Sequence, residues 1–309
     1  MAKQPIVVVG SSNTDMIIKL ERIPRPGETI LGGEFVTAPG GKGANQAVAA
    51  ARAGGRVSFI ARVGRDMFGD QAIDGFLKDK IDVEHVGRDK SALSGVALIF
   101  VAKDGENSIA VASGANNRLS PAHVRKARKL IASAAAIIMQ LETPLATVQA
   151  TAEIAAQAGV PVILNPAPAQ PLPDELLRMV TILTPNETEA ELLTGIKVDD
   201  DSSAGRAAEA LLSRGVRTVI ITLGPRGAFV ASADLRSLIK GFAMQAVDTT
   251  AAGDVFNGAL AVALAEEQPL EQAVRFANAA AAISVTRMGA QPSAPRRKEI
   301  DKLLEASKP

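Results

Sequence analysis

Ala136-Ile137-Ile138-Met139, then Leu145 to Ala158 closing at Gly159, then Val160-Pro161-Val162-Ile163-Leu164 read as strand, helix and strand in one unit. The outer segments are short apolar runs with β-branched residues, and the middle one reads as a helix stopped by a glycine. Two strands joined by a helix lie parallel, and a parallel sheet is covered by helices on both faces. The pattern continues outward. Upstream, Ile6-Val7-Val8-Val9 ends at Gly10 as a buried strand and Val57–Ala61 reads as another. Ala44–Ala53, Phe68–Lys80 and Pro121–Ser133 read as helices. Downstream, Val180–Leu183, Val219–Thr222 and Ala228–Ala231 are predicted strands. Ala204–Arg214, Val255–Glu266, Leu270–Thr286 and Arg297–Ala306 are predicted helices. This order predicts an α/β fold, a three-layer α/β/α sandwich with a mostly parallel central sheet.

Two regions break the rhythm. Met16 to Val36 holds strand-like patches (Met16-Ile17-Ile18, Thr29-Ile30-Leu31, Glu34-Phe35-Val36) around Pro24 and Pro26-Gly27. Val96–Val101 leads through Lys103-Asp104-Gly105-Glu106 to Ser108–Val111, and Asp-Gly is a hairpin turn signal. The two regions are expected to pair as a small separate sheet.

Composition narrows the chemistry. The chain has 309 residues, 47% of them hydrophobic, with a formal net charge of +1 and no long block of like charge. Nothing in that balance calls for nucleic acid or a membrane surface. The basic Pro295-Arg296-Arg297-Lys298 is followed by Glu299 and Asp301 and reads as a solvated helix start. The absence of cysteine excludes disulfides, cysteine-ligated zinc and thiol catalysis. With no Trp or Tyr, stacking on a base or sugar is confined to a few Phe and His. His85 reads as a loop residue and His123 as part of a first helical turn, so neither is expected to ligate a metal. No apolar run reaches membrane-span length and the opening residues lack a signal-peptide core, so a soluble cytoplasmic protein is expected.

Ligands of such sheets sit beyond the carboxyl ends of the strands. Asn165-Pro166, Thr184-Pro185-Asn186 and Thr222-Leu223-Gly224 follow predicted strands and should line that edge. Two familiar phosphate motifs are missing. The Lys of Gly40-Gly41-Lys42-Gly43 is followed by Gly rather than Ser or Thr, and the first strand runs into Gly10-Ser11-Ser12-Asn13 rather than Gly-x-Gly-x-x-Gly. In their place stands Asp248-Thr249-Thr250-Ala251-Ala252-Gly253-Asp254, at the start of an apolar-periodic helix. Small residues there let backbone N–H groups approach an anion, and the helix start adds unpaired donors and a positive dipole end. Asp254 beside such a site can cap the helix. It can equally accept a proton from a hydroxyl attacking a bound phosphoryl group.

Other segments carry weaker signals. Gly40 to Gln46 is a glycine-rich helix entry suited to a sugar or phosphate, or simply a flexible turn. Gly10 to Asp15 can form an Asx-type turn, or present Asn13 and Asp15 to a polyol. Asn186-Glu187-Thr188-Glu189 fits a capping box, with a nucleotide or Mg²⁺ role attractive only through its place at the strand edge. Thr222-Leu223-Gly224-Pro225-Arg226-Gly227 is a plain turn or a backbone approach to a nucleotide, and Glu142 follows a strand.

In this order the segments resemble the ribokinase (PfkB-like) family of sugar kinases, essentially end to end. Gly40–Asn45 is similar to the family's N-terminal motif, Asp248–Asp254 with Gly258 to its C-terminal motif, and Asn186–Glu189 to its Asn-x-x-Glu. Gly40 to Ala47, Asn165-Pro166-Ala167-Pro168 and Thr286 to Ser293 are typical of its ribose-specific members. Ala252 stands where many members have Gly, a change those members tolerate. The resemblance implies one kinase domain over 1–309, with a β-sheet lid from segments of about 15–38 and 94–113, and a homodimer formed through the lids. It implies ATP-dependent phosphorylation of the 5-hydroxyl of D-ribose, with Asp254 as base and Ala251, Ala252 and Gly253 holding the γ-phosphate. Asn13, Asp15, Gly41, Asn45 and Glu142 would hold the sugar, with Lys42, Gly43 and Ala44 in the same motif. Asn186, Thr222, Leu223, Gly224, Pro225, Arg226, Gly227, Gly253 and Asn278 would form the nucleotide side. Mg²⁺ would ride on the ATP phosphates near Asn186 and Glu189. A monovalent cation, usually K⁺, would lie among Asp248, Thr250, Ser284, Arg287, Gly289 and Ser293, Arg287 and Gly289 acting through backbone oxygen. Kinases of deoxyribose, fructose or a nucleoside are sister readings, and a non-catalytic sugar- or nucleotide-binding regulator is the alternative of another class.

Overall fold

The computed structural model describes residues 4–307. Its strands are β1 (Ile6–Val9), β2 (Asn13–Leu20), β3 (Glu34–Gly40), β4 (Val57–Gly64), β5 (Val86–Asp89), β6 (Gly95–Ala102) and β7 (Asn107–Ala112), then β8 (Ala136–Met139), β9 (Val162–Leu164), β10 (Ile182–Leu183), β11 (Thr218–Thr222), β12 (Gly227–Ala231) and β13 (Arg236–Lys240). The helices are α1 (Lys42–Arg52), α2 (Met67–Lys78), α3 (Pro121–Lys126), α4 (Arg128–Ala132), α5 (Leu145–Gln157) and α6 (Asp174–Leu177), then α7 (Glu187–Thr194), α8 (Asp201–Ser213), α9 (Ala252–Ala265), α10 (Leu270–Ser284) and α11 (Arg297–Ala306).

Nine strands form the central sheet, in the order β13-β12-β11-β10-β9-β8-β1-β4-β5. From β5 to β11 every pairing is parallel, and β12 and β13 add an antiparallel edge. The uninterrupted apolar run of β1 has a simple cause, because successive side chains point to opposite faces and both faces are covered. Ile6 and Val8 join a core shared with α1, α9 and α10. Val7 and Val9 join the core packed by α3, α4, α5 and α8 on the other face. In the first core Phe59 and Phe76 meet edge to face, with ring centroids 5.2 Å apart.

The second sheet, β3-β2-β6-β7, is built from the two irregular regions. β2 pairs antiparallel with β3 and parallel with β6, and β6 pairs antiparallel with β7. Asp15, Ile17, Val36, Ile99, Ile109 and Val111 share one face by register.

Several local expectations are corrected. Thr29–Leu31 is not a strand, because Gly27, Gly32 and Gly33 around it all take positive φ. Val180–Leu183 contributes only Ile182 and Leu183, and the helix expected over Pro121–Ser133 breaks at Ala127 into α3 and α4. Gly10–Asp15 forms no separate turn, since Asn13 already begins β2.

Gly258 sets a distance that matters for the site. A Cβ there would lie 2.7 Å from Ala50 N and Gln46 O, so the glycine lets α9 close on α1 backbone to backbone. That approach brings Asn45 and Gln46 of α1 against the first turn of α9.

Candidate active site

Asp254 lies in the first turn of α9 and is 4% exposed. Its Oδ2 accepts from Asn45 Nδ2 at 3.0 Å and its Oδ1 from Gln46 Nε2 at 2.8 Å. Burial pushes its carboxyl above the usual carboxylate range. Lys42 and the Asn45 and Gln46 amides oppose that rise, and Glu142 adds to it. The result is a basic carboxylate held by two donors, the character wanted of a proton acceptor.

Behind it runs a buried chain of amides. Gln140 Nε2 donates to Gln46 Oε1 at 2.6 Å, and Gln46 Nε2 also donates to Asn165 Oδ1 at 3.1 Å. Asn165 Nδ2 donates to Thr184 O at 3.1 Å, Thr184 Oγ1 to Asn257 Oδ1 at 2.7 Å, and Asn257 Nδ2 to Gly253 O at 2.8 Å. The chain therefore returns to the helix start that carries Asp254. Gln46, Gln140 and Asn257 are absent from the sequence-derived site. The one available hint was the adjacency of Gln46 to the Gly40–Asn45 motif.

The start of α9 is preformed. Ala251 precedes the helix with φ of +60°, a conformation costly for a side chain with a Cβ. A left-handed residue feeding a right-handed helix turns successive N–H groups to one side, an anion nest. Ala252 N–H closes on Thr249 O at 3.2 Å, leaving Ala251, Gly253 and Asp254 as the donors here without a protein acceptor among the described residues. A Cβ on Gly253 would meet nothing within 4 Å, so this residue faces open space.

A second group of residues gathers beside Asp254. Asn13 and Asp15 are alternate residues of β2 and share a face. Burial, then Glu142 and Asp254, push the Asp15 carboxyl up to about 6. Glu142 Oε2 accepts from Ser11 Oγ at 2.5 Å and from Lys42 N at 2.9 Å, fixing it over the start of α1. Burial pulls the Lys42 ammonium down, but Asp254, Glu142 and Glu189 together outweigh it and hold the lysine charged. Burial raises the carboxyl of Glu189 against the opposing Asn186 N–H and Lys42. Gly41 has φ of +88°, and a Cβ there would press on Asn13 N, so the backbone at this point passes close under β2. Gly43 and Ala44 are structural. Gly43 packs against Gly10 and Ser11 and donates its N–H to Ser11 Oγ, while Ala44 is fully buried in the core.

The other side of Gly253 opens into a cavity of 420 Å³. Asn186, Thr222, Gly224, Pro225, Gly227 and Asn278 line it, with Phe242, Met244, Phe256, Ala281 and Val285. Asn186 caps α7, its Oδ1 accepting from Glu189 N at 2.8 Å and Glu189 Oε2 accepting from Asn186 N at 2.9 Å. An isolated bridge sets Asn186 beside Thr222. Asn278 Nδ2 donates to Ile239 O at 3.0 Å, which ties β13 to α10 at the cavity wall. Leu223 and Arg226 do not line it. Leu223 packs into the core, and Arg226 turns outward to Glu187 and Asp201.

Two loops meet beside the start of α9. Asp248 Oδ1 accepts from Thr250 N at 2.9 Å and Oδ2 from Gly289 N at 2.7 Å. Burial pulls the Asp248 carboxyl up, but the Thr250 and Gly289 donors outweigh it and hold it below the usual range. Val247 and Asp248 N–H both donate to Val285 O. Ser284 and Ser293 are buried, their hydroxyls donating to Ala281 O and Ala290 O. The Arg287 side chain pairs with Glu299, away from this junction. Any cation here is therefore offered backbone oxygen rather than free carboxylates. Among the described residues no group of three or more His, Asp or Glu stands ready to hold a metal.

Comparison with known proteins adds independent support. The model of the pfkB family carbohydrate kinases matches residues 3–297. The chain is 50% identical over 303 residues to a ribokinase of Haemophilus influenzae, covering 98% of this chain and 99% of that one. The structure of Arabidopsis thaliana ribokinase complexed with ribose and ATP superposes with a TM-score of 0.91 at 36% identity, over 98% of this chain and 99% of the other. A ribokinase from Thermotoga maritima gives a TM-score of 0.90 at 39% identity, with 98% and 99% coverage.

Proposed function

This chain belongs to the pfkB family of carbohydrate kinases, and we propose that it transfers the γ-phosphoryl group of ATP to the 5-hydroxyl of D-ribose. The observation that carries the reading is the position of Asp254. It is a buried, basic carboxylate at an anion-binding helix start, with hydroxyl-binding groups on one side and a 420 Å³ cavity on the other.

In this mechanism Asn13, Asp15, Gly41, Asn45 and Glu142 hold the sugar with its 5-hydroxyl against Asp254. Asp254 takes the hydroxyl proton and the oxygen bonds to the γ-phosphorus. The bond from that phosphorus to the bridging oxygen breaks, and its electron pair leaves on ADP. Charge on the transferring group falls on the N–H groups at the start of α9, and Lys42 adds a positive charge beside them. The apolar walls of the 420 Å³ cavity suit the adenine, and Thr222, Gly224 and Gly227 let backbone approach the ribose and phosphates.

Asp15, Glu142, Glu189 and Asp254 bring acidic charge together around a single lysine. A polyphosphate entering that field fits best with a cation on it, which supports Mg²⁺ carried by the nucleotide near Asn186 and Glu189. When bound, Mg²⁺ supplies charge neutralisation of the phosphates. The Asp248–Gly289 junction supports a monovalent cation, K⁺, on the carbonyls of the two loops, where it would steady the anion nest.

The second sheet acts as a lid over the sugar, since its root holds Asn13 and Asp15. Ile109 and Val111 on its Asp15 face are 56% and 53% exposed, an apolar surface suited to the lid of a second copy. A homodimer formed through the lids follows from that reading.

The test is ADP release by purified protein with Mg-ATP and a panel of D-ribose, 2-deoxy-D-ribose, D-fructose and nucleosides, in K⁺ or Na⁺. D-ribose is expected to give the highest kcat/KM. Turnover of another sugar with none of D-ribose overturns the substrate. Sugar binding without any turnover overturns the catalytic reading in favour of a regulator.

A further inference from the structure

We propose that Asn116 is a positioning residue that fixes the side-chain amide of Asn13 with its nitrogen toward the sugar, in a space that Gly95 leaves free. Asn116 lies in the 3₁₀ turn Gly114–Arg118 that follows β7 and is 1% exposed. Its orientation is settled by a backbone group that has only one hydrogen-bonding role. Ser12 N–H donates to Asn116 at 2.9 Å, and an amide N–H cannot accept, so the atom it meets is Asn116 Oδ1. The nitrogen therefore lies on the other arm. There it donates to Ser12 O at 3.2 Å and to the side chain of Asn13 at 2.7 Å, which uses both of its hydrogens.

A donor can face only an acceptor, so Asn13 must turn Oδ1 to Asn116. What remains is Asn13 Nδ2, which donates to no protein group among the described residues. Asn13 is 7% exposed and borders the 350 Å³ cavity that Glu142 also lines. The ambiguity of an amide side chain is thus removed by a chain of polarity running from the Ser12 backbone through Asn116.

Gly95 makes the pair possible. It stands opposite Asn13 in the register of β2 and β6, and a Cβ there would collide with both Asn13 Oδ1 and Asn116 Nδ2. All three residues lie at the root of the second sheet. Asn13 starts β2, Gly95 starts β6, and Asn116 follows the exit of β7.

The consequence is a division of labour on one face of β2. Asn13 acts as donor and Asp15, two residues on, as acceptor. Hydroxyls on adjacent carbons match that pair, one accepting from the amide and the next donating to the carboxylate. Without Asn116 the Asn13 amide is free to turn, and one orientation sets acceptor against acceptor demand.

This inference rests on the reading that Asn13 faces the sugar, so Asn13→Ala is measured beside Asn116→Ala. Ribose Kd, ribose KM, ATP KM and kcat are determined for each. Asn116→Ala is expected to raise ribose Kd and KM about tenfold, the weight of roughly one hydrogen bond, with ATP KM and saturated kcat within about threefold of wild type. Gly95→Ala is expected to do the same. Weakened ribose binding in Asn13→Ala but not in Asn116→Ala overturns the positioning role alone. Unchanged ribose binding in Asn13→Ala overturns the underlying reading. A shift in ATP KM and kcat as large as that in ribose KM makes Asn116 merely structural. Should the variants not fold, wild-type protein ¹⁵N-labelled at asparagine side chains decides. The Asn13 NH₂ pair, assigned by through-bond correlation to its own backbone, must shift on addition of D-ribose, and an unmoved pair overturns the proposal.

Discussion

Replacing Asp15 by Asn should make the sugar-free protein more stable while weakening its hold on ribose. Burial, Glu142 and Asp254 raise the Asp15 carboxyl from 3.8 to about 6. Below pH 3.8 both folded and unfolded chains carry the proton, and the side chain has no net effect. Between 3.8 and about 6 the folded chain keeps a proton that the unfolded chain has lost, so stability falls as pH rises. Above about 6 the full penalty is present. Two pKa units are worth at most about 3 kcal/mol, and partial solvation of the carboxylate reduces this to roughly 1–2 kcal/mol. Asn cannot ionise, so the variant is expected to exceed wild type by that amount at pH 8, with the gap closing as pH falls through 6 towards 4. Urea denaturation of both proteins across pH 4–8 without ligand reads this, because carboxylates other than the coupled Glu142 and Asp254 cancel in the difference. Saturating D-ribose should then reverse the order, stabilising wild type far more than the variant. A variant no more stable than wild type at pH 8, or a gap that ignores pH, would refute the account of Asp15 as a charge kept for the sugar.

The remaining predictions concern the base and its supports. Asp254→Asn should lose at least about a hundredfold in kcat while still binding ribose and ATP by calorimetry. It should fold well, since the buried Asn45 Oδ1 lacks a partner and can turn to accept from the new amide. Activity within tenfold of wild type would remove Asp254 from its role. Gln46→Leu withdraws a donor from the ionised Asp254, so its pKa rises and the acidic limb of the kcat/KM profile should move to higher pH. An unmoved limb would make the amide chain a packing feature. Gly258→Ala should cost about 2 kcal/mol or more by overpacking α1 against α9, and should lower kcat with it. A variant of wild-type stability by thermal melting would contradict the close helix approach. Asp248→Ala should blunt activation by K⁺ with Na⁺ as control, and an intact K⁺ response would discard that junction as the cation site.

Much of the fold was legible because both faces of the central sheet are buried. Runs such as Ile6–Val9 and Ala136–Met139 then announce themselves by composition alone. The edges were not legible. Val86–Asp89 and Arg236–Lys240 mix charged and apolar residues because each has a neighbour on one side only, and their strand state comes from pairing rather than propensity. Asp254 could be suspected from its small neighbours, since a helix start has local sequence consequences. Gln140 and Asn257 could not, because hydrogen bonds across 94 or 73 residues leave no local mark. Within each motif the residues divide between packing and cavity. Neighbours in a turn or helix point in different directions, so Gly43, Ala44, Leu223 and Arg226 support the fold while adjacent residues meet the cavities.

The bond between Asn45 and Asp254 spans 209 positions of the chain. A carboxylate in the last fifth of the polypeptide is oriented by amides in the first sixth, so no fragment that lacks either end of that span holds the base in place. During synthesis the reactive group emerges 209 residues after Asn45, with Asn278 and the Gly289 loop still to follow. Closure over such distances is slow compared with helix formation. A chain that stops short of Asp254 consequently lacks the base, and the site is assembled only when the start of α9 has docked on α1.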